Sequence, residues 1–347
     1  MQLARCRTQL RPLYRFACPP PETVEKLGTK TGFAAVCAAA GLRTPQGVTL
    51  PFGAPVPELP FGGPVIVKPA DPAAYQKCRF AGRRKVYLAK DRAALDRTVE
   101  AVGRGGYRGA LLLQEYIPGP DTALGVVNAY CGADGRVRWI VQGQVLLQET
   151  TPEGAGNYAA LLIEPARQDR ALLDALAALL EQNGWRGFAN FDFKYDRAGQ
   201  PVLFEMNPRQ GRSSYACAAA GASPGPPAAG GPGRPPPGHG PALRAAVWHT
   251  APWGVVHRFC PAPAAAAPCR RAAPPWVRLP PSAGGGGGTG PVSLVRAAAG
   301  RMTGARCRAA ADERPRKEAR LCGLVGFTRN LARSAEARRT VQAMADQ

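Results

Sequence analysis

The sequence predicts an α+β protein whose folded body covers residues 22–221. Short runs rich in β-branched and aromatic residues recur along this stretch, and turns containing Gly, Pro, Asn or Asp separate them. Longer runs place apolar residues at helical intervals, as amphipathic helices do. From residue 222 to 320 the composition shifts to Pro, Ala, Gly and Arg, without Ile, Asn or Tyr. Such a stretch cannot bury a core, so we expect it to be disordered.

The first predicted elements form a small sheet with one helix. Residues 22–42 predict a helix with an Ala-rich body, followed by an extended connection. Residues 64–69 predict a β-branched strand closed by proline, with residues 85–89 as its antiparallel neighbour. A second helix is predicted over residues 91–102, with Asp91 as its N-cap.

A larger antiparallel sheet backed by a helix is predicted next. Its strands are separated by the rigid turn Pro118-Gly-Pro120 and by a hairpin turn around Ala133-Asp-Gly135. The predicted strands cover residues 111–117, 125–131, 137–141 and 144–148, and the helix covers residues 171–185.

The last predicted element is a hairpin over residues 188–211. If Tyr195 pairs with Gln200 across the turn at 196–199, alternation fixes which side chains share a face. One face then carries Asn190, Asp192, Leu203, Glu205 and Asn207. The other face carries Phe191, Phe193, Tyr195, Val202, Phe204 and Met206, whose apolar side chains supply the buried side.

The oxygen-bearing face of this hairpin suits a magnesium ion. With Asp192 opposite Leu203, Glu205 lies on the diagonal, roughly 7 to 8 Å away between backbones, and flexible carboxylates can bridge that span through one cation. Magnesium takes oxygen ligands such as these and Asn207, and completes its octahedron with water and substrate phosphates. An ordinary hairpin with a solvated acidic face is the alternative that the spacing leaves open.

Two further segments carry residues suited to a nucleotide. Lys68, at the end of its strand, can reach phosphate oxygens as a point charge, although a solvated surface lysine is the alternative. The backbone of residues 114–117 can meet an adenine edge, and Asp121 is positioned for ribose hydroxyls. A buried strand with a rigid turn is the alternative there. The order of the three segments favours a nucleotide held between two sheets.

The order of these motifs resembles the ATP-grasp superfamily. The motifs are Pro64-Val-Ile-Val-Lys68, Gln114-Glu-Tyr-Ile-Pro-Gly-Pro-Asp121, Phe191-Asp-Phe193 and Phe204-Glu-Met-Asn-Pro-Arg209. Two more segments, at residues 151–159 and 207–215, resemble the carboxylate-amine ligase branch that includes D-aspartate ligases of peptidoglycan crossbridge synthesis. The resemblance covers about residues 22–221.

The resemblance implies an ATP-grasp fold, in which two α+β subdomains at residues 64–120 and 121–221 hold ATP and Mg²⁺ between them. It also implies a role for each matching residue. Lys30 and Lys68 would bind phosphate, Glu115 and Ile117 would meet adenine through their backbone beside Gln114, Asp121 would meet the ribose, Asp192, Glu205 and Asn207 would bind magnesium, and Arg209 would lie beside the transferred phosphoryl group.

The chemistry implied by the resemblance is amide formation. An amino-acid carboxylate, with D-aspartate as a candidate, attacks the γ-phosphorus of ATP, and an amine such as a peptidoglycan precursor captures the acyl phosphate. Truncation at the N-terminus, a frame shift after the matched residues and three departures within them make a nucleotide-binding remnant without turnover the alternative. Thr29 precedes Lys30 where Asp is common, the loop at 71–85 lacks a Gly/Ser clasp, and Asn190 stands where some relatives have Arg.

Expectations for both ends of the chain follow from the same resemblance. Relatives begin with a Rossmann-like domain, of which residues 1–21 would be a remnant, and residues 22–63 would be a helix and linker. We interpret residues 222–320 as low-complexity sequence or a frame-shifted stretch. Residues 321–347 begin with Leu-Cys-Gly-Leu-Val-Gly-Phe, which resembles the start of class II glutamine amidotransferases. Cys322 is internal there, so we expect it to be inert.

Charge and cysteine usage narrow the functional class. The chain has a net charge of +21, of which +11 lies in residues 222–320, where 14 Lys and Arg meet 3 Asp and Glu. A basic tail suggests nucleic acid, so a basic nucleic-acid-binding protein is a further alternative, but this tail lacks the interleaved aromatic residues of single-strand binders, which argues against a nucleic-acid partner. The ten cysteines lack C-x-x-C spacing, which favours free thiols in the cytoplasm. The sequence has no run of about 18 apolar residues and no apolar leader, so we expect neither membrane insertion nor export.

Overall fold

The computed structural model describes residues 2–12, 16–150, 154, 156–222, 243–251 and 253–259. The helices are α1 (Gln2–Arg5), α2 (Arg7–Leu10), α3 (Pro21–Gly28), α4 (Lys30–Ala39), α5 (Pro72–Gln76), α6 (Arg92–Arg104), α7 (Arg170–Gln182), α8 (Ser214–Ala219) and α9 (Trp253–Phe259). The strands are β1 (Gly47–Leu50), β2 (Val65–Pro69), β3 (Tyr87–Ala89), β4 (Leu111–Glu115), β5 (Leu124–Cys131), β6 (Val137–Gln148), β7 (Tyr158–Ile163), β8 (Gly187–Tyr195), β9 (Pro201–Asn207) and β10 (Ala246–His249). The predicted α+β fold is confirmed.

The small sheet is antiparallel and has the strand order β1-β4-β2-β3. Val67 of β2 packs with Leu113 of β4 and Leu95 of α6, because alternate strand residues point to the helix side. Asp91 caps α6, accepting a hydrogen bond from the Ala94 N–H at 2.7 Å. The strands predicted at 64–69, 85–89 and 111–117 and the helix predicted at 91–102 are confirmed as β2, β3, β4 and α6.

The large sheet has the strand order β10-β7-β6-β5-β8-β9, and every neighbouring pair is antiparallel. Helix α7 packs Leu176 and Leu180 against Val127 and Phe191 of this sheet. The helix ends where Gly184 adopts a positive φ of 62°, which glycine tolerates without strain. The predicted helix at 171–185 is confirmed, although it ends at Gln182.

The single helix predicted at 22–42 is wrong, since α3 and α4 replace it. Thr29 between them is extended, with φ −94° and ψ 148°, and its side chain accepts a hydrogen bond from the Gly32 N–H at 3.3 Å. A threonine that caps a new helix satisfies a backbone donor that continuous helix would satisfy internally. Leu27 and Phe33 from the two helices pack with Phe191, so this pair belongs to the core of the large sheet.

The segment at 137–148 also differs from expectation. The sequence predicts separate strands at 137–141 and 144–148, but β6 is continuous, because Gln142 and Gly143 both pair with β5. Pairing with Val126 of β5 keeps the glycine in an extended conformation that it does not favour alone. Strand β7, which follows the loop after β6, is not among the predicted elements.

Strands β8 and β9 form the predicted hairpin in a different register. Tyr195 pairs with Pro201 rather than with Gln200, and a bulge at Phe204 then shifts the pairing by one more residue. A bulge places an extra residue in one strand and resets its alternation.

The bulge changes which hairpin residues face the cleft. Leu203, expected beside the acids, is buried in the core with Phe191 and Phe193. Phe204, expected in the core, instead lines the cleft between the two sheets. The predicted face is therefore wrong for these two residues and right for Asn190, Asp192, Glu205 and Asn207, whose side chains lie together.

The prediction of disorder for residues 222–320 is wrong for the part at 243–259. Strand β10 pairs with β7, and its Trp248 is 1% exposed in a cluster that includes Ala216 and Ala220 of α8 and its C-terminal end. A few apolar residues suffice here because an existing sheet edge supplies the partner. Residues 223–242 and 260–347, with the amidotransferase-like segment and Cys322, lie outside the described residues. None of the described helices is long and apolar enough to cross a bilayer.

Candidate active site

A cavity of about 770 Å³ lies between the small and the large sheet. Both sheets and α4 contribute to its walls, so it forms only when the two subdomains meet. Among the residues that the sequence predicts for the site, it is lined by Lys30, Lys68, Gln114, Glu115, Ile117, Asp192 and Glu205. Residues far apart in the chain are thereby gathered around one space.

The two predicted metal-binding acids face each other across the hairpin. Asp192 pairs with Glu205, and Asn190 pairs with Asn207 one step along the ladder. The Asn207 amide nitrogen donates to Asp192 Oδ2 at 3.2 Å and to Glu205 Oε1 at 3.4 Å. Oxygens of both carboxylates therefore lie within hydrogen-bonding distance of one small group.

This donor set fits a magnesium ion. Two carboxylates and an amide provide hard oxygen ligands, and one oxygen of each carboxylate lies within 3.4 Å of the same Asn207 amide nitrogen. Within the described residues, no three His, Cys, Asp or Glu side chains gather to hold a metal ion by themselves. Magnesium commonly relies on substrate phosphates to complete such a partial set.

Asp192 has a second partner that the sequence does not predict. The Tyr158 hydroxyl donates to Asp192 Oδ1 at 2.7 Å. Burial raises the pKa of the Asp192 carboxyl to about 6, and the Glu205 charge adds to this, while the Tyr158 hydrogen bond and the Arg209 charge oppose it. Burial and the same two acids raise the pKa of Tyr158 well above its usual value, so its hydroxyl remains a donor.

Two ammonium groups line the same cavity as the acids. Burial lowers the pKa of Lys68 to about 8, and the nearby charge of Lys30 adds to the shift. Burial also lowers the pKa of Lys30, against the effect of Glu205. Lys68 Nζ lies 6.0 Å from the centroid of the Phe204 ring, which the bulge turns toward the cleft. Both lysines are placed where phosphate oxygens could replace lost hydration.

The predicted adenine segment forms the end of β4. The Glu115 N–H donates to the Gln46 carbonyl at 2.8 Å, and the Glu115 carboxylate accepts from Arg43 at 3.0 Å and from the Gln46 N–H at 3.2 Å. Gln114 and the buried Ile117 line the cavity on either side. The backbone role of Glu115 and Ile117 toward adenine stays a prediction.

Three predicted residues do not line the cavity wall. Asp121 accepts from the Gln148 side chain at 2.7 Å and from its N–H at 3.2 Å, and Gln148 lines the cavity in turn. Asn207 reaches the site through its bonds to the acids. Arg209 is exposed and donates to the Gln210 carbonyl at 3.3 Å, and its charge acts on Asp192.

A buried lysine beside the site could have been found from strand alternation. Lys194 is two residues beyond Asp192 on β8 and therefore faces the same cleft. Its ammonium donates to the Gly119 carbonyl at 2.7 Å and lies 5.8 Å from the centroid of the Tyr116 ring. Tyr158 lies in the segment at 151–159 that carries part of the resemblance, but no spacing in the sequence pairs it with Asp192. Other cationic side chains that line the cavity are Arg79, Arg83 and Lys85.

Asn190, which departs from the pattern of some relatives, is part of a buried amide network. It donates to Asn128 Oδ1 at 3.1 Å and to Ser213 Oγ at 3.3 Å, and it accepts from Asn207 at 3.3 Å. A buried polar network of this kind is rigid when its members are satisfied. Asn190 therefore links the hairpin face that carries the two acids to this network.

Sequence comparison agrees with the motifs. No model of a known protein family matches the chain. The chain is 36% identical over 208 residues to a D-aspartate ligase of Enterococcus faecium (strain Aus0004), covering 58% of this chain and 49% of that protein. The chain thus spans about half the length of this relative.

Comparison with solved structures finds other ligases at lower similarity. L-amino acid ligase from Bacillus licheniformis has a TM-score of 0.42 and 18% identity, covering 59% of this chain and 46% of that one. D-alanine–D-alanine ligase from Bacillus anthracis, complexed with ATP, has a TM-score of 0.40 and 17% identity, covering 59% and 62%. By its sequence, the matched 208-residue part of this chain is a homologue of D-aspartate ligase, as the resemblance to the carboxylate-amine ligases predicts.

Proposed function

We propose that the cleft binds ATP with Mg²⁺ and that the protein is an ATP-dependent ligase, which joins a carboxylate to an amine. The observation that carries this proposal is the cavity itself. It brings the Asp192 and Glu205 carboxylates and the Lys30 and Lys68 ammonium groups to the walls of one space. Acids alone would repel a nucleotide and lysines alone would not hold its metal, whereas the two together suit a metal-bound polyphosphate.

Asp192, Glu205 and Asn207 would hold the magnesium ion, with Asn207 turning its amide oxygen toward it. The ion would neutralise charge on the phosphates during transfer. Lys30 and Lys68 would bind phosphate oxygens from the other side, and Arg209 would approach the transferred group. We assign the adenine to the end of β4, at Gln114, Glu115 and Ile117, and the ribose to Asp121.

The proposed reaction has two balanced steps. A carboxylate oxygen of the first substrate attacks the γ-phosphorus, the bond to the β-phosphate oxygen breaks, and ADP leaves. The amine nitrogen of the second substrate then attacks the acyl carbon, phosphate leaves, and the nitrogen loses a proton to give the amide. The work of the protein is mainly to position the reactants, stabilise charge and exclude water from the acyl phosphate.

We propose D-aspartate as the carboxylate substrate, since the relative bears that name and matches over 208 residues. An amine of a peptidoglycan precursor is the corresponding acceptor, and the reaction would take place in the cytoplasm, where ATP is available. Both substrates would enter the same cleft as ATP.

Calorimetry on the full chain tests the nucleotide part, with ATP titrated at fixed Mg²⁺ and again in the presence of a chelator. We expect binding that requires the metal, and its absence would contradict the proposal. Phosphate release over a panel of amino acids, with and without acceptor amines, tests the ligase part. Metal-dependent binding without amide formation would instead identify a nucleotide-binding remnant.

A further inference from the structure

A tyrosine from a distant strand contacts the carboxylate that we assign to the metal. Tyr158 begins β7, whereas Asp192 lies on β8, and both β6 and β5 separate these strands in the sheet. The Tyr158 hydroxyl nevertheless reaches Asp192 Oδ1 at 2.7 Å. This contact spans the sheet face and is not a cross-strand pair.

The two oxygens of Asp192 have different donors. Oδ1 accepts from Tyr158, and Oδ2 accepts from Asn207 at 3.2 Å on the side of Glu205. A phenolic hydroxyl supplies one donor along one direction, so this bond resists rotation of the carboxylate about its Cβ–Cγ bond. Oδ2 is thereby kept toward Glu205.

The backbone that carries Tyr158 is itself fixed. The preceding Asn157 carbonyl accepts from the Glu149 N–H at 2.9 Å, and the Asn157 amide donates to the Glu149 carboxylate at 3.2 Å. Arg212 donates twice to that same carboxylate, at 3.1 Å each. These hydrogen bonds to Glu149 therefore fix the backbone directly before Tyr158, and with it the position from which its side chain extends.

We propose that Tyr158 is a positioning residue of the magnesium site, whose hydroxyl holds the Asp192 carboxylate in the rotation that shares a cation with Glu205. This inference rests on the proposed function, because it needs the cation to bind. Outer hydrogen bonds to metal-binding side chains typically change metal affinity by about 10- to 100-fold. Tyr158 does not touch the cation or the nucleotide in this role.

The chain offers a matched control in Tyr195. Its hydroxyl donates to the Asp169 carboxylate at 2.9 Å, the same chemistry as at Tyr158, but Asp169 caps α7 away from the cleft. Tyr195→Phe removes a hydroxyl that donates to a carboxylate, together with the bond that it accepts from Gln142 at 3.1 Å, without touching the acids at the cleft.

The experiment compares the unaltered full chain with its Tyr158→Phe and Tyr195→Phe variants. Mn²⁺ is titrated by calorimetry into each protein saturated with a non-hydrolysable ATP analogue, and thermal unfolding is followed in parallel. We expect Tyr158→Phe to weaken Mn²⁺ binding about tenfold with an unfolding temperature close to that of the unaltered chain. We expect Tyr195→Phe to leave Mn²⁺ affinity unchanged.

Three outcomes overturn the inference. Equal Mn²⁺ affinity for Tyr158→Phe and the unaltered chain would show that the hydroxyl does not position the acid. Equal weakening in both variants would indicate general loosening of the fold. If the unaltered chain shows no metal-dependent nucleotide binding, the proposed function fails first and this inference with it.

Discussion

Lys30 and Lys68 hold like charges close together in a half-buried place. Burial and the Lys30 charge lower the pKa of Lys68 to about 8, so its charged form is less favourable in the free protein than in water. A bound anion reverses this situation, because it replaces the hydration that burial removed and separates the two charges. The charged forms of the two lysines are thus more favourable with a bound anion than in the free protein.

Replacing Lys68 by Met removes the charge and keeps most of the side-chain volume. We expect ATP to bind about 10- to 100-fold more weakly, because hydrogen bonds to charged groups contribute about 1.5–3 kcal/mol. Calorimetry measures the change, and Lys90→Met, an exposed lysine before α6, is the control. Comparable losses in the two variants would contradict a specific role for Lys68.

Asp192 gives the second prediction at this scale, in the pH dependence of metal binding. Its pKa of about 6 in the free protein means that it takes up a proton as the pH falls through that value. Only the ionised carboxylate attracts a cation, so we expect Mg²⁺-dependent ATP affinity to fall below about pH 6. Titrations between pH 5 and 8 measure it. Asp192→Asn should bind weakly throughout and lose this dependence, and a persisting dependence would assign it to another group.

Individual residues were predictable where alternation and motif order agreed. Asp192, Glu205 and Lys68 point into one cavity because strands β8, β9 and β2 place them there. The contact of Tyr158 with Asp192 was not predictable, because β6 and β5 lie between their strands in the sheet. The alternation of side chains along neighbouring strands says nothing about a contact between strands so far apart.

Among the elements, the hairpin shows why strand register is harder to predict than strand existence. Both strands follow from their apolar alternation, but the bulge at Phe204 does not. Its cause is tertiary, since Leu203 fills the core beside Phe193 while the acid two residues later faces the cleft. A strict period of two cannot satisfy both demands.

The segment between α4 and β1 supports a prediction of its own. Arg43 pairs with Glu115 at the end of β4 and with Asp196 at the tip of the hairpin, so it ties the small sheet to the large one. Arg43→Met should cost at most about 1 kcal/mol per pair in unfolding free energy, because the arginine is half-exposed. We expect a larger, several-fold loss in ATP affinity, since β4 loses its fixed position.

Denaturant unfolding and calorimetry on the same Arg43→Met sample separate the two effects. Arg104→Met is the matched control, because Arg104 pairs with Glu100 on the exposed face of α6. We expect it to alter neither quantity measurably. If Arg43→Met binds ATP as well as that control does, the ion pairs of Arg43 have no role in ATP binding.

At the scale of the whole molecule, the folded part includes more of the chain than the composition predicts. Strand β10 completes the large sheet and buries Trp248, although it follows a Pro- and Gly-rich stretch. The average composition of residues 222–320 does not reveal the few apolar residues that pair with the edge of the large sheet. A frame-shifted origin for parts of 222–320 stays a prediction, which sequencing of the locus would test.

Ending the chain at two positions tests the contribution of β10. A chain that ends at residue 222 lacks β10 and leaves the edge of β7 unpaired. A chain that ends at residue 260 keeps β10 and its pairing with β7. We expect the shorter chain to unfold at a markedly lower temperature, and Trp248→Ala in the full chain to cost about 3–5 kcal/mol. Thermal unfolding by circular dichroism measures both. Equal midpoints for the two chain lengths would contradict this contribution.

Along the chain, the small sheet is inserted into the large subdomain. Helices α3 and α4 come before the small sheet but pack on the large sheet, whose strands come after it. The chain therefore crosses between the subdomains twice. At the first crossing Arg43 is bound to Asp196, and at the second the Gly119 carbonyl is bound to Lys194. Both crossings are thus fastened to β8 and the turn that follows it.

Lys194 is two residues from Asp192 on β8, and Asp196 follows in the turn. The strand that carries one of the two acids therefore also anchors both connections to the small sheet. We expect a nucleotide that contacts both sheets to influence the position of the small sheet and of Asp192 through this one strand.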